Sequence, residues 1–280
     1  MPDDAAMALS VTKLHDHVGA EVSGVDLSQP LDGATLAAIE QAFYQNSALV
    51  FRGQDLPPEK HIAFSRHFGP LEVHPLDQFH LERFPEILVL SNRKRADGTP
   101  LGLEDAGRYW HTDVSFTEVP SMGSFLYSVE IPPDGGDTLF ASQIAAYETL
   151  PDAWKKRIDG LQALHGLNRI TAPKWTDEQL AKVKGVAHPL VRTHPKTGRK
   201  ALYAGVFVLK VLGVSAAESD EILAYLRDHW ADETFVYRHR WQQGDLVMWD
   251  NRSLLHHATP FDPQYTRHMH RTTVAGEKPV

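Results

Sequence analysis

Trp110-His111-Thr112-Asp113 is the tetrapeptide that could do most chemistry in this chain. On an extended strand, residues i and i+2 share a face, so His111 and Asp113 can aim an imidazole and a carboxylate at one point. A third donor must come from elsewhere, and His256-His257 follows the strand-like run DLVMWD far down the chain. Neighbouring strand residues face opposite ways, so only one of these two histidines can easily reach that point. Two imidazoles and one carboxylate on one face of an ion leave the opposite positions open, which suits a non-haem Fe(II) oxygenase. Open positions are needed because a chelating co-substrate and O2 must share the metal. H-x-D is by itself a weak signal, and the plain alternative for His111 is a hydrogen-bonded histidine on a half-buried strand.

Composition narrows the field. The chain has 280 residues, 42% of them apolar, and a chain of that length can bury roughly 75% of its unfolded surface. The absence of cysteine excludes disulfides, thiolate metal sites and a cysteine nucleophile together. A net charge of −8 with no basic cluster argues against a nucleic-acid surface. No apolar run approaches the ~20 residues of a membrane span. The opening MPDDAAMALS lacks the basic and apolar regions of a signal peptide. The expectation is a cytoplasmic protein acting on a small molecule, without nucleic-acid or membrane partners, as a homo-oligomer of dimer or tetramer type.

The elements that must position those donors can be read from periodicity. Leu36, Ile39, Ala42 and Phe43 have helical spacing within Leu31–Ser47, and Ala48–Phe51 reads as a short strand ended by Arg52-Gly53. Pro57 and Pro58 suit the first turn of a second helix running to about His67. Ile87–Leu90 reads as a buried strand. Beyond residue 100, short stretches rich in β-branched and aromatic residues alternate with turn signals. They are Ser124–Val129, Thr138–Ala141, Ala201–Phe207, Thr234–His239, Leu246–Trp249 and Thr272–Val274. Gly135-Gly136-Asp137, Pro195–Gly198 and Gln243-Gly244-Asp245 punctuate them. One more amphipathic helix fits Ala216–Trp230, with Ile222, Leu223 and Leu226 inward. No linker or repeat divides residues 1–280, so the expectation is a single, mainly β domain with flanking helices, a cupin-like double-sheet jelly roll. A parallel α/β sheet fits less well, because long helices do not follow each strand.

The stretches WHTDVSF, GGDTLFAS, WDNRSLLHHATPF and RHMHRTTV, with GAEVSGVDLSQPL, LVFRGQDL and FGPLEVHP before them, resemble the taurine dioxygenase and phenoxyacetate dioxygenase family. The motifs stand in the family's order and spacing across essentially the whole chain. The resemblance implies a double-stranded β-helix that holds Fe(II), decarboxylates 2-oxoglutarate oxidatively with O2, and hydroxylates a second substrate. The W-D-N-R-x-x-x-H pattern implies that the distal ligand is His256, leaving His257 to packing or surface, and Asp250 and Asn251 to tying the turn.

2-Oxoglutarate is a dianion whose distal carboxylate needs a cation, and arginine offers a planar fork for it. By resemblance that arginine is Arg267, eleven residues after His256. Thr138, twenty-seven residues after His111, would hydrogen-bond the same carboxylate. Arg271 would reach the substrate anion, the co-substrate chelate, or both. His74 matches the family's substrate-anion histidine, and the Val114 amide would help hold the same anion. Phe116 and Phe207 would form apolar walls, or else simply belong to the core. Two positions depart from the taurine pattern: Asp77 stands where a tyrosine is expected, and about Gly107 where an asparagine is expected. Taurine itself is therefore not the expected substrate. A monoanionic sulfonate, alkyl sulfate or aryloxyalkanoate is, because Asp77 in the substrate site would repel a second negative charge. The long, charged and glycine-containing Lys94–Arg108 loop suits a mobile lid. The rival readings are an inactive binding protein and a redox-silent metal enzyme on the same scaffold.

Overall fold

The computed structural model describes residues 9–104, 106–168, 170–172, 176–182 and 184–280. Its first strands are β1 (Ser10–Lys13), β2 (Ala20–Ser23), β3 (Ala48–Phe51), β4 (His80–Leu81), β5 (Phe84–Ser91), β6 (Gly123–Glu130), β7 (Thr138–Ser142) and β8 (Gln162–His165). There follow β9 (Val186–Pro189), β10 (Val191–Thr193), β11 (Lys200–Leu202), β12 (Val208–Leu212), β13 (Val236–His239), β14 (Leu246–Asp250), β15 (Leu254–Ala258) and β16 (His268–Val274). The helices are α1 (Gly33–Asn46), α2 (Pro58–Arg66), α3 (Gln143–Thr149), α4 (Asp152–Ile158), α5 (Asp177–Lys182) and α6 (Ala216–Trp230). None of the described helices is long and apolar enough to cross a membrane.

Eight strands form the large sheet, in the order β1-β2-β3-β14-β6-β16-β5-β4, with β2 and β3 its parallel pair. A second sheet, β13-β7-β15, packs against it. Along β3 and β14 successive side chains point to opposite faces, and both faces are dry. Leu49, Phe51, Leu246 and Met248 lie under α1 and α2 with Ile39, Phe43 and Phe64. Ala48, Val50, Val247 and Trp249 fill the space between the two sheets with Phe140, Leu254 and Met269. These strands read as unbroken apolar runs because neither side meets water. The result is the expected jelly roll with helices outside.

The helices start where their caps put them. The Asp32 carboxylate accepts from the Thr35 amide at 2.7 Å to open α1, and Ser47 at φ 60° closes it. Ser215 caps α6, whose Ile222, Leu226 and Trp230 are buried against β12 and the helices around it; Leu223 is half-buried at the edge of that face.

Two expectations need correction. The Ala201–Phe207 strand ends at Leu202. Beyond it the chain leaves the sheet to pass under Trp110 and His111, where Val206 N–H donates to the Trp110 carbonyl at 3.0 Å. The crossing is tight: a Cβ on Gly205 would come within 2.9 Å of Leu255 Cδ2 and 3.3 Å of His111 Cα. His111 and Asp113 also do not share a regular strand. His111 makes a single antiparallel bridge to His256, with N···O distances of 3.1 and 2.8 Å. The chain then turns at Asp113, with Val114 in the left-handed region at φ 46°.

Candidate active site

The bridge and the turn do together what a strand would have done alone. His111 Nε2 lies 3.8 Å and His256 Nε2 3.9 Å from the same Asp113 oxygen, Oδ1. The three donors lie within 4.8 Å of one another, and all three residues are buried. His257, on the other face of β15, packs on Trp110 with ring centroids 5.5 Å apart.

The donor set fits a divalent metal. His111 Nδ1 sits 2.7 Å from the Tyr109 carbonyl. A carbonyl only accepts, so Nδ1 carries the proton and the Nε2 lone pair is left for the ion. Burial holds the pKa of both His111 and His256 below the ordinary imidazole value, which keeps them neutral. Burial alone would raise the Asp113 pKa, but the Arg271 guanidinium, helped by the hydrogen bond from Ser124, holds it below the usual carboxylate range. Its second oxygen, Oδ2, accepts from Ser124 Oγ at 2.6 Å and faces Asn251 Nδ2 at 3.5 Å. The Asn251 side-chain oxygen in turn accepts from the Asp113 amide at 3.3 Å and from Trp249 Nε1 at 3.1 Å. Asn251 is thus more than a turn residue. Asp250 does anchor the turn, taking two charge-assisted bonds from Arg252 (2.8 and 2.7 Å) and one contact from His194 at 2.9 Å.

Two cavities open on the triad. The smaller, of 50 Å³, runs between β-strands and is lined by His111, His256, Thr138, Trp249, Arg267 and Arg271. Thr138 Oγ1 accepts from Trp241 Nε1 at 3.0 Å, which leaves its own hydroxyl hydrogen free to donate to an anion. Arg267 is half-buried, and its Nε donates to the Gly136 carbonyl at 3.3 Å. Burial, with Arg108 nearby, pushes its pKa down to about 10, so it stays cationic at neutral pH. Gly136 reads in the sequence only as a turn signal. At φ +68°, it leaves room for the arginine stem, because an added Cβ would lie 3.2 Å from Arg267 Cδ.

The larger cavity, of 350 Å³, is built mostly from loops. It brings together His74, Val114, Phe116, Phe207 and Arg271 as expected. The two phenyl rings meet edge to face at 5.1 Å. Arg271 Nη1 reaches Asp113 Oδ1 at 3.2 Å and borders both cavities. The His74 ring is pushed down to a pKa of about 4 by burial and by Arg271, so it offers hydrogen bonds and no charge.

Asp77 does not take part. It opens a 3₁₀ turn over Asp77–Phe79 and is exposed, while Leu76 before it faces the cavity. Tyr109, Leu167, Thr171 and Ala172 line the same cavity without any signal in the sequence that marked them. Within the Lys94–Arg108 loop, Lys94 and Pro100 bridge one another, and Leu103, Ala106 and Gly107 border the cavity. Gly107, at φ +79°, sits where a Cβ would be 3.4 Å from the His111 ring, so an asparagine here would be strained.

A family model described as "Taurine catabolism dioxygenase TauD, TfdA family" matches residues 10–273. The chain belongs to this family. Among its relatives is the alpha-ketoglutarate-dependent 2,4-dichlorophenoxyacetate dioxygenase of Cupriavidus pinatubonensis, 36% identical over 98% of this chain and 100% of that protein. The alpha-ketoglutarate-dependent sulfate ester dioxygenase of Pseudomonas putida is 34% identical over 98% of this chain and 92% of its own. The solved structure of AAD-2 in complex with Mn(II) and N-oxalylglycine has a TM-score of 0.84 at 33% identity, covering 98% of this chain and 99% of that one. The protein is accordingly a 2-oxoglutarate-dependent dioxygenase that works with Fe(II) and O2. These relatives do not support the inactive or redox-silent alternatives.

Proposed function

We propose that this dioxygenase hydroxylates a small organic monoanion with an apolar body, of aryloxyalkanoate, alkyl sulfate or sulfonate type. The observation that carries this reading is the position of Arg271, which borders both cavities beside the triad. Among the described residues lining the larger cavity it is the single permanent cation, which is why one negative charge is expected on the substrate. The relatives named for 2,4-dichlorophenoxyacetate and for sulfate esters support the same class.

The division of labour follows from the two cavities. His111, Asp113 and His256 would hold Fe(II), which when bound supplies the redox chemistry turning 2-oxoglutarate and O2 into succinate, CO2 and a hydroxylated substrate. Arg267 and Thr138 would take the distal carboxylate of 2-oxoglutarate in the smaller space. Arg271 and His74, with the Val114 amide, would hold the substrate anion in the larger one. Phe116, Phe207, Leu76 and Leu103 would exclude water and orient the apolar body. When hydroxylation falls on a carbon bearing oxygen or sulfur, the product breaks down and releases a phenol, sulfate or sulfite.

Residues 1–280 serve in this reading as one catalytic domain, because β1, β2 and β3 from the first part of the chain share the large sheet with β14 and β16. The Lys94–Arg108 loop would close over bound substrate. A dimer or tetramer acting in the cytoplasm completes the proposal, and light scattering on the purified protein decides the assembly. The test of function is a panel of aryloxyalkanoates, alkyl sulfates and sulfonates scored by substrate-dependent succinate formation. A best substrate without an anionic group, or efficient turnover of taurine, would sink it.

A further inference from the structure

A second cavity, of 330 Å³, lies behind the larger active-site cavity. Trp110, Ile170, Val208, Leu223 and Trp230 line it, with Arg227 among its polar residues. Tyr109 borders both spaces. One short stretch of chain does so too: Leu167, Thr171 and Ala172 border the active-site cavity, Asn168 and Ile170 the second. That stretch is braced from within. Asn168 Oδ1 accepts from the amides of Ile170 at 2.9 Å and Thr171 at 3.0 Å, and Ala172 N–H donates to the Asn168 carbonyl at 2.8 Å. Tyr109 is the one described residue that lines both spaces, and its ring can be removed by substitution. Its duty to the metal site falls on its carbonyl, which holds His111 Nδ1 at 2.7 Å, so the ring is not needed for that contact.

We propose that Tyr109 is a specificity-determining residue that caps substrate length, and that the space behind it takes an extended apolar tail once the ring is gone. This inference rests on the substrate class proposed above. The second cavity is lined by two tryptophans and by the aliphatic side chains of Ile170, Val206, Val208 and Leu223, which suits a hydrocarbon. Joining 330 Å³ to 350 Å³ nearly doubles the room, and the sum stays within the roughly 300–1,000 Å³ of ligand pockets. Each methylene moved from water into such a space contributes about fourfold in affinity.

The test is calorimetric titration of Mn(II)- and 2-oxoglutarate-loaded protein with phenoxyacetate and 4-hexylphenoxyacetate, with butyl and octyl sulfate in parallel. Tyr109→Ala is expected to bind the longer member of a pair at least about tenfold more tightly than the unaltered enzyme does. Leu223→Trp added to Tyr109→Ala fills the second cavity from α6. It is expected to cancel the gain while leaving the shorter member bound as in Tyr109→Ala alone. Tyr109→Leu, a smaller cut, should give an intermediate gain and keeps the test open should alanine unfold the loop. No gain for the longer member, or a gain that survives Leu223→Trp, overturns the role given to Tyr109. If no compound of either pair binds any of these proteins, it is the substrate class that fails, and the inference falls with it.

Discussion

The two sides of the metal triad are built differently. On one side a 50 Å³ space is walled mainly by strands of the jelly roll, with Thr138 on β7, Trp249 on β14, His256 on β15 and Arg267 just before β16, and by Ala106 and Gly107 of the preceding loop. On the other, a 350 Å³ space is walled mostly from loops, among them Leu76, Leu103, Tyr109, Phe116, Leu167 and Phe207. β7, β14 and β16 are each paired on both edges, and the His111 bridge ties the outer edge of β15, so their side chains hold position. Loops tie to little and can be replaced without disturbing the sheets. The strand-built side can serve a co-substrate common to many enzymes, and the loop-built side can be fitted to one substrate.

The largest effects should come from breaking what both sides share. His111→Ala, Asp113→Ala and His256→Ala are each expected to abolish Fe(II)-dependent succinate formation, while His257→Ala retains it. Loss of activity in His257→Ala with retention in His256→Ala would reverse the assignment of the distal ligand.

Next in size is the strand-built side. Arg267→Ala should raise the KM for 2-oxoglutarate by two to four decades, since stranding one member of a buried charge pair costs roughly 3–5 kcal/mol. Thr138→Val should cost about 1–3 kcal/mol. If the 2-oxoglutarate KM is unchanged in Arg267→Ala, the division between the two sides is wrong.

Asn251→Ala and Ser124→Ala probe the support behind Asp113. Outer partners of metal ligands are typically worth about 10–100-fold in metal affinity, and Mn(II) binding followed by calorimetry should show a loss in that range. Metal affinity at the level of the unaltered protein in both variants would mean that Asp113 is held by the turn alone.

The loop-built side should answer differently. Arg271→Ala is expected to raise the KM for the organic acid more than that for 2-oxoglutarate, although it borders both spaces. Equal rises would move Arg271 to the co-substrate.

The smallest effect concerns charge at the cavity wall. His74 has its pKa depressed to about 4, so it remains neutral from pH 5.5 to 8 and the substrate KM should not follow an imidazole titration. Protonation would begin only as pH falls towards 4, and tighter anion binding would follow it. A KM that drops as pH falls through 6.5 would show that His74 is charged and pairs with the substrate. Asp77→Asn should leave substrate preference as it is.

How much could be read in advance tracks the same division. α1, β3, α2 and α6 declare themselves through apolar spacing and caps, because burial against one layer imposes a period on the residues that make it. The metal ligands and Arg267 are legible by motif, since the chemistry restricts which residue types can stand there. The period-two argument for His111 and Asp113 reached the right pair through the wrong element: a bridge to His256 and a left-handed Val114 align them instead. Asp77 stands outside the cavity for a related reason. Position in sequence cannot say which way a 3₁₀ turn presents its side chains.

What the chain by itself determined was the kind of chemistry and the layers that carry it: two imidazoles, one carboxylate and a pair of arginines on a jelly roll. Those follow from residue type, and residue type is local. Only the tertiary structure decided that Asn251 and Ser124 hold the metal carboxylate, that Gly136 and Gly205 make room for Arg267 and His111, and that Tyr109 stands between two cavities. Each of these depends on what comes close from far along the chain. An asparagine, a serine or a glycine looks the same in sequence whether it faces water or a metal ligand.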